Sequence, residues 1–398
     1  MVTLYLGLKY LWIDSLCIIQ DDADDWKAQA AKMCDVYAGS HITISATSST
    51  DSDDGLFRTV PSVSIQPYDS SPPVLFIRTH SRHIKYRTNP ISEYDNDFPL
   101  FTRGWVFQER ILSPRVVHFS RYELSFMCSN HFSLCECGTR EFFFDKRDYD
   151  QSLVESDVFK IRSYWHQTVN TYSRLRLSYQ SDRLPALAGI ARQYGAAHAA
   201  TLGRYVAGLW EHTLIYDLIW GINEGYLLPR PNTYCGPTWS WASVTGWVQT
   251  FSSFRRARND LEVLDFRVEL AGPDEYGPIT SAELTVRGYL AEGMLEWVEE
   301  PGKPRSIGFS HSASGAGRIT FDCNIQRSGS PDYMPVNSRV HCLKTGFIGG
   351  GLHICLVLRA VDDESKIFQR LGIIHFTQLE VVDTWFAQDH AKETIRLV

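Results

Sequence analysis

Two carboxylates stand inside long apolar stretches of the chain. Asp14 falls within Tyr10–Asp22, where both sets of alternating residues are apolar, and Glu109 falls among large apolar side chains in Pro99–Leu112. A buried carboxylate costs several kcal/mol unless a hydrogen-bond donor or a cation meets it. Each acid is therefore a candidate either for catalysis or for an internal ion pair.

The neighbours of Glu109 have side chains that suit ligand binding. If Pro99–Leu112 is helical, its spacing places Trp105, Gln108 and Glu109 on one stripe. Trp105 could stack on a base, Gln108 supplies an amide, and Arg103 supplies a cation close by. The sequence therefore predicts ligand contacts from Trp105, Gln108 and Arg103 around a catalytic Glu109.

A structural role is the alternative for both acids. Glu109 or Asp14 could pair with Arg103, Arg110 or Arg115 and so fix a helix against a sheet. Ion pairs of this kind are the commoner reason for an acid in a protein core. The residue pattern leaves both interpretations open.

The segment around Asp14 is predicted to be a strand of a parallel sheet, buried on both faces. The strand would end at Gln20 and Asp21, at the carboxyl edge where sheets of this class bind ligands. We therefore count both residues among the candidate ligand-binding positions.

A helix and a second strand are predicted to follow. Apolar residues recur at helical spacing from Trp26 to Tyr37, and His41–Ala46 is rich in β-forming residues. Residues 10–46 would then form a strand–helix–strand unit with parallel pairing.

The rest of the chain changes character twice. The predicted divisions are an α/β domain over 1–150 with an irregular insertion at about 58–98, a helical region over 151–250, and a β-rich region over 251–398. Within them we predict strands at Arg115–Phe119 and Glu123–Cys128, a long helix from Asp157, and an aromatic-rich helix at Tyr205–Trp220. Trp239 and Trp241 are expected to pack in the core.

The cysteines give no site of their own. Cys17 would lie in the middle of the first strand and is expected to be a core residue. Cys128, His131, Cys135 and Cys137 are close in sequence but lack the paired spacing of a zinc site, so no metal is predicted.

Composition narrows the class of protein. The 398 residues carry a net charge of −7 and no run of lysine or arginine, which argues against nucleic-acid binding. The nine cysteines suit reduced thiols, and no apolar run reaches the length of a membrane span. We expect a cytoplasmic protein.

Two long motifs resemble those of fungal heterokaryon-incompatibility (HET) domain proteins. They are Leu11–Asp21 and Pro99–Leu112, and weaker similarity continues through Asp182–Ile190, Tyr205–Trp210 and Pro237–Ser243. The first motif block of such domains would lie before Leu11, so the resemblance implies a chain that is truncated at its N-terminus. It also implies an incomplete parallel sheet of the TIR or flavodoxin-like type.

The resemblance implies a role in fungal nonself recognition, in which a cell-death effector acts through contacts with other proteins or by self-association. Because some TIR domains hydrolyse NAD with a catalytic glutamate, the alternative is an NAD glycohydrolase that uses Glu109. Asp14 would then hold a ribose hydroxyl, with NAD as substrate and no bound cofactor. A second alternative is an inactive remnant.

Overall fold

The structure of the chain is a computed structural model. It describes residues 2–57, 62–65, 75–78, 98–121, 123–129, 131–135, 146–223, 227–250, 256–298, 306–311, 314–348, 352–376, 386 and 391–398. Much of the predicted insertion at 58–98 therefore lies outside the described residues.

The N-terminal part mixes helices with short strands. Its elements are α1 (Val2–Tyr5), α2 (Asp14–Cys17), α3 (Ala23–Ala38), β1 (Thr43–Ser45), β2 (Ser62–Ile65), β3 (Leu75–Arg78), α4 (Gly104–Leu112), β4 (Arg115–Phe119), β5 (Leu124–Cys128), β6 (His131–Cys135) and α5 (Lys146–Ser152). A 3-10 turn, Pro99–Thr102, leads into α4.

The middle part is built from helices, turns and very short strands. Its elements are α6 (Val158–Tyr172), α7 (Ala188–Ala197), α8 (Ala199–Leu202), β7 (Tyr205–Val206), β8 (Leu209–Trp210), α9 (Leu214–Asp217), β9 (Trp220–Ile222) and β10 (Val248–Thr250). The predicted long helix is confirmed: the Asp157 side chain accepts a hydrogen bond from the Lys160 N–H and so caps the start of α6.

The C-terminal part consists of strands, as predicted. They are β11 (Arg256–Asn259), β12 (Glu262–Leu270), β13 (Ile279–Gly288), β14 (Leu290–Val298), β15 (Ser306–His311), β16 (Ser314–Phe321), β17 (Arg339–Ile348), β18 (Leu352–Asp362), β19 (Ile367–Phe376) and β20 (Glu393–Leu397).

The N-terminal sheet has the order β1-β4-β5-β6. β1 and β4 are parallel, with Thr43 opposite Val116, whereas the pairs β4–β5 and β5–β6 are antiparallel. Because α4 runs directly into β4, the parallel connection is β1–α4–β4. The α/β class of this region is thus confirmed, and the strands predicted at 115–119 and 123–128 are present.

The first predicted strand is wrong. Residues 8–13 are irregular and α2 begins at Asp14, although α3 and β1 follow as expected. Tyr10 is 91% exposed and Leu16 is 79% exposed, so the apolar pattern of this segment is not matched by burial. Cys17 is exposed as well, which corrects its predicted place in the core.

The helix predicted over Tyr205–Trp220 is also wrong. β7 and β8 form an antiparallel hairpin there, and Ala207 and Gly208 connect them with φ angles of 51° and 95°. Two successive residues with positive φ make the turn that matches the twist of a two-residue hairpin.

Six C-terminal strands close on themselves. Each of β14, β15, β16, β19, β18 and β17 is hydrogen-bonded to the next, and β17 returns to β14, always antiparallel. Apolar residues such as Leu295, Phe309 and Val340 fill one core cluster of this region. β20, β13 and β12 extend the sheet from β19.

The larger core joins the helices to this sheet. It contains residues from Cys34 to Leu397, including Trp239 and Trp241, which are fully buried as predicted. The Trp239 indole N–H donates to the Leu397 carbonyl at 3.2 Å. The division at 150 and 250 stays a prediction. No helix in the described ranges is long and apolar enough to cross a membrane.

Candidate functional site

A cavity of about 760 Å³ lies between the N-terminal segment, α3, β1 and α4. Leu8–Ile13 form one wall and Gly39–Ser45 form another. From α4, Val106, Glu109 and Arg110 line it, since residues three and four apart share one helix face.

Glu109 is the half-buried acid of this cavity. Its carboxyl group is hydrogen-bonded to Tyr37. Burial, and next the negative charge of Asp14, raise the pKa of Glu109 to about 7, while the Tyr37 hydrogen bond and the Arg103 charge oppose the rise. Glu109 therefore changes its protonation state near neutral pH.

The arginines required by the ion-pair alternative mostly have other contacts. The Arg110 guanidinium lies 5.5 Å from the centroid of the Phe101 ring. Arg115 donates to the His41 carbonyl at 2.7 Å. Arg103, whose side chain is exposed, acts on Glu109 through its charge.

Asp14 lies near enough to Glu109 for its charge to act on that carboxyl group. It is exposed at the start of α2, where its carboxylate accepts the Ser15 N–H at 2.8 Å. Its charge reaches Glu109 and Tyr37, because it raises the pKa of both. A contact of Asp14 with a ribose stays a prediction.

Trp105 and Gln108 do not line the cavity, although the helical spacing of α4 holds Trp105 one turn from Glu109. The ligand contacts predicted for them stay a prediction. The Gln108 side chain is 1% exposed, and its Oε1 accepts the Gly189 N–H at 2.6 Å. The Trp105 indole donates to Asp182 at 3.0 Å. Both residues attach α4 to the middle part of the chain.

Gln20 and Asp21 are both exposed in the turn before α3. The Gln20 amide donates to the Ile18 carbonyl at 2.9 Å and to the Asp14 carbonyl at 3.3 Å. The strand that would have placed them at a sheet edge is not formed, so the structure does not join them to the cavity.

Sequence reasoning missed Tyr37 and Trp12 as site residues. Tyr37 stands in the last turn of α3 and its ring meets Trp12 edge to face, with centroids 5.6 Å apart. Both line the cavity. The helical spacing of Tyr37 indicated only a packed residue, and nothing in the sequence distinguished it from its apolar neighbours.

A second feature is the N-terminal apolar segment, which we define as residues 4–19. Its large apolar side chains that are exposed include Leu4 (79%), Tyr5 (91%), Tyr10 (91%), Leu11 (58%), Leu16 (79%) and Ile19 (57%). A concentration of exposed large apolar side chains within 16 residues makes this segment a candidate interaction site.

Among the described side chains, no group of three or more histidines, cysteines, aspartates and glutamates could hold a metal ion. Cys137 and the side chains of His131 and Cys135, which belong to the cysteine cluster of the sequence, lie outside that description.

A comparison with known families gives a match in the region that holds both the cavity and the N-terminal apolar segment. Residues 1–109 match the family described as Heterokaryon incompatibility protein (HET). The chain has no significant match among curated proteins or among solved structures. Glu109 and the N-terminal apolar segment both fall within the matched range. The N-terminal part of the chain, residues 1–109, is therefore similar to a heterokaryon-incompatibility domain.

Proposed function

We propose that the chain is an effector of heterokaryon incompatibility that acts through contact with another protein. The observation that carries this proposal is the exposure of the N-terminal apolar segment within the matched HET region. Large apolar side chains left in water are costly, and a partner that covers them recovers about 25 cal/mol per Å² of apolar surface.

The composition of the segment suits a contact between proteins. Tyr5 and Tyr10, each 91% exposed, are of the residue type that most often dominates binding energy at interfaces. Leu11 and Leu16 supply apolar contact beside them. The contact partner is another protein or a second copy of the chain.

The proposed setting is the cytoplasm of a fungal cell, where the contact would lead to growth arrest and cell death. The flavodoxin-like fold that the resemblance implies stays part of this proposal. One parallel strand pair, β1 with β4, supports it.

Induced expression in a fungal host tests the proposal. We expect the chain to arrest growth and the double variant Leu11→Ser/Leu16→Ser to lose this effect at equal protein level. The matched control is Leu264→Ser/Val361→Ser, which changes two apolar residues of similar exposure, 51% and 56%, outside the segment. Arrest by the segment variant would contradict the proposal. Absence of arrest by the unaltered chain would favour an inactive remnant.

A second candidate function is hydrolysis of NAD, for which the cavity around Glu109 is the specific observation. Cleavage of the nicotinamide–ribose bond passes through a species with positive charge on the ribose, which a carboxylate can stabilise. Glu109 would provide this carboxylate above its pKa of about 7, with Asp14 on a ribose hydroxyl.

Release of nicotinamide by the purified chain tests this candidate. The rate should increase as the pH rises through about 7 and should fall at least about a hundredfold in Glu109→Gln. Glu296→Gln is the control, since Glu296 is exposed on β14. No release from the unaltered chain, or equal release from Glu109→Gln, would exclude this role for Glu109.

A further inference from the structure

We infer that the N-terminal apolar segment binds a basic amphipathic segment of its partner. This inference rests on the protein contact proposed above and adds the chemistry of the partner. It follows from the charges that border the exposed apolar side chains.

The border of the segment is strongly acidic. Residues 4–25 contain five aspartates and one basic residue, Lys9. Asp14, Asp21 and Asp22 are exposed and lie within a few residues of Leu11, Leu16 and Ile19 along the chain. The surface therefore combines apolar contact area with a negative rim.

The local hydrogen bonds of these aspartates do not neutralise their carboxylates. Asp22 accepts the N–H groups of Asp24 and Asp25 at the start of α3, and Asp25 accepts the Ile19 N–H at 2.9 Å. Bonds from neutral N–H groups favour the ionised carboxylate, as the lowered pKa of Asp25 shows. The rim is thus both ordered and negatively charged.

This charge disfavours a second copy of the chain as the partner. A two-fold contact places the same surface on both subunits, so the acidic rims would face each other. Juxtaposed like charges cost several kcal/mol and reject such a partner.

The same charge disfavours a lipid surface. Anionic membranes attract basic segments and repel acidic ones. A protein segment with an apolar face and lysine or arginine along its edges meets both the apolar side chains and the rim. Helices with that pattern commonly bind in apolar grooves.

Binding of model peptides to the full chain tests the inference. The probes are a labelled amphipathic helix of leucine and lysine and the same helix with glutamate in place of lysine. We expect the lysine peptide to bind at least about tenfold more tightly than the glutamate peptide, with an affinity that falls as salt is added.

Variants locate the binding surface. Leu11→Ser/Leu16→Ser should weaken the lysine peptide about tenfold or more, and Asp14→Asn/Asp21→Asn should weaken it several-fold. The matched control is Leu264→Ser/Asp265→Asn on β12, where both side chains are exposed. This control should bind as the unaltered chain does, because its changes lie outside the segment. If the net charge of −7 attracted the peptide without a local site, the control would weaken binding too.

Three results would overturn the inference. The first is equal binding of both peptides, and the second is unchanged binding by the segment variants. The third is self-association, or binding to phosphatidylserine vesicles, that Leu11→Ser/Leu16→Ser abolishes. If the peptides fail to bind while Leu11→Ser/Leu16→Ser still abolishes growth arrest, the basic partner is refuted and the protein contact stands. If the segment variants lose peptide binding but expression of the unaltered chain does not arrest growth, the proposed function fails and the basic partner stands.

Discussion

Trp12 and Tyr37 pack edge to face with ring centroids 5.6 Å apart, and Tyr37 is hydrogen-bonded to Glu109. The contact joins the N-terminal apolar segment to the acid of the cavity. Residues 8–13 therefore serve two surfaces at once, because they line the cavity and also carry the exposed Tyr10 and Leu11. A partner bound to the segment would alter the surroundings of Glu109.

Replacing Glu109 by glutamine should stabilise the fold at alkaline pH. Burial and Asp14 raise the pKa of Glu109 from 4.5 to about 7, so the folded state holds a proton that the unfolded chain releases. The resulting stabilisation is full below about pH 4.5 and is lost as the pH rises through 7.

Glutamine stays neutral, so the free energy of unfolding of Glu109→Gln should exceed that of the unaltered chain by on the order of 3 kcal/mol near pH 8. Near pH 4.5 the two should agree. Urea titrations at both pH values measure this difference. If the unfolding free energies of the two proteins differed by the same amount at pH 8 and at pH 4.5, the surroundings of Glu109 would not favour its protonated form.

Gln108→Ala should destabilise the fold by about 2–4 kcal/mol, because it leaves the buried Gly189 N–H without its acceptor and opens a cavity. Denaturant unfolding measures the loss. Gln20→Ala is the control, since Gln20 is exposed, and should cost less than about 0.5 kcal/mol. A Gln108→Ala variant of normal stability would contradict a purely structural role for this amide.

Arg370→Met should cost about 3–5 kcal/mol. Arg370 and Asp322 are both fully buried, with Nε and Oδ2 3.0 Å apart, and Arg370 also donates to the Leu218 carbonyl at 2.7 Å. The matched change in an exposed ion pair, Arg204→Met beside Glu211, should cost less than about 1 kcal/mol. If Arg370→Met and Arg204→Met lost similar amounts of unfolding free energy, burial would not explain the contribution of the Arg370–Asp322 pair.

Gly208→Ala should destabilise the hairpin of β7 and β8 by about 1–3 kcal/mol. Gly208 has a φ of 95°, and an added Cβ would lie 2.8 Å from the Trp241 indole nitrogen. Gly272→Ala meets no atom within 4 Å and serves as the control. Equal thermal stability of the two variants would contradict the described turn.

The elements that the sequence predicts correctly have local signals. Asp157 caps α6, and Arg115–Phe119 follows α4 as a strand of alternating burial. The hairpin at Tyr205–Trp210 had only a weak signal, because Gly208 suits a positive φ angle whereas Ala207 does not, and the aromatic spacing outweighed it.

The first strand fails for a different reason. Apolar alternation in residues 10–19 specifies a strand only if neighbouring strands bury both faces, and a sequence does not reveal whether those neighbours exist. The contacts of Gln108 could not be predicted for a similar reason, because its amide bonds to Gly189, a residue distant in sequence.

Viability and NAD content, followed in the same fungal cultures after induced expression, test the central claim most directly. The contact account predicts growth arrest without an earlier fall in NAD, lost in Leu11→Ser/Leu16→Ser and retained in Glu109→Gln. A collapse of NAD before the arrest, abolished by Glu109→Gln and not by the segment variant, would contradict it and establish the enzyme instead.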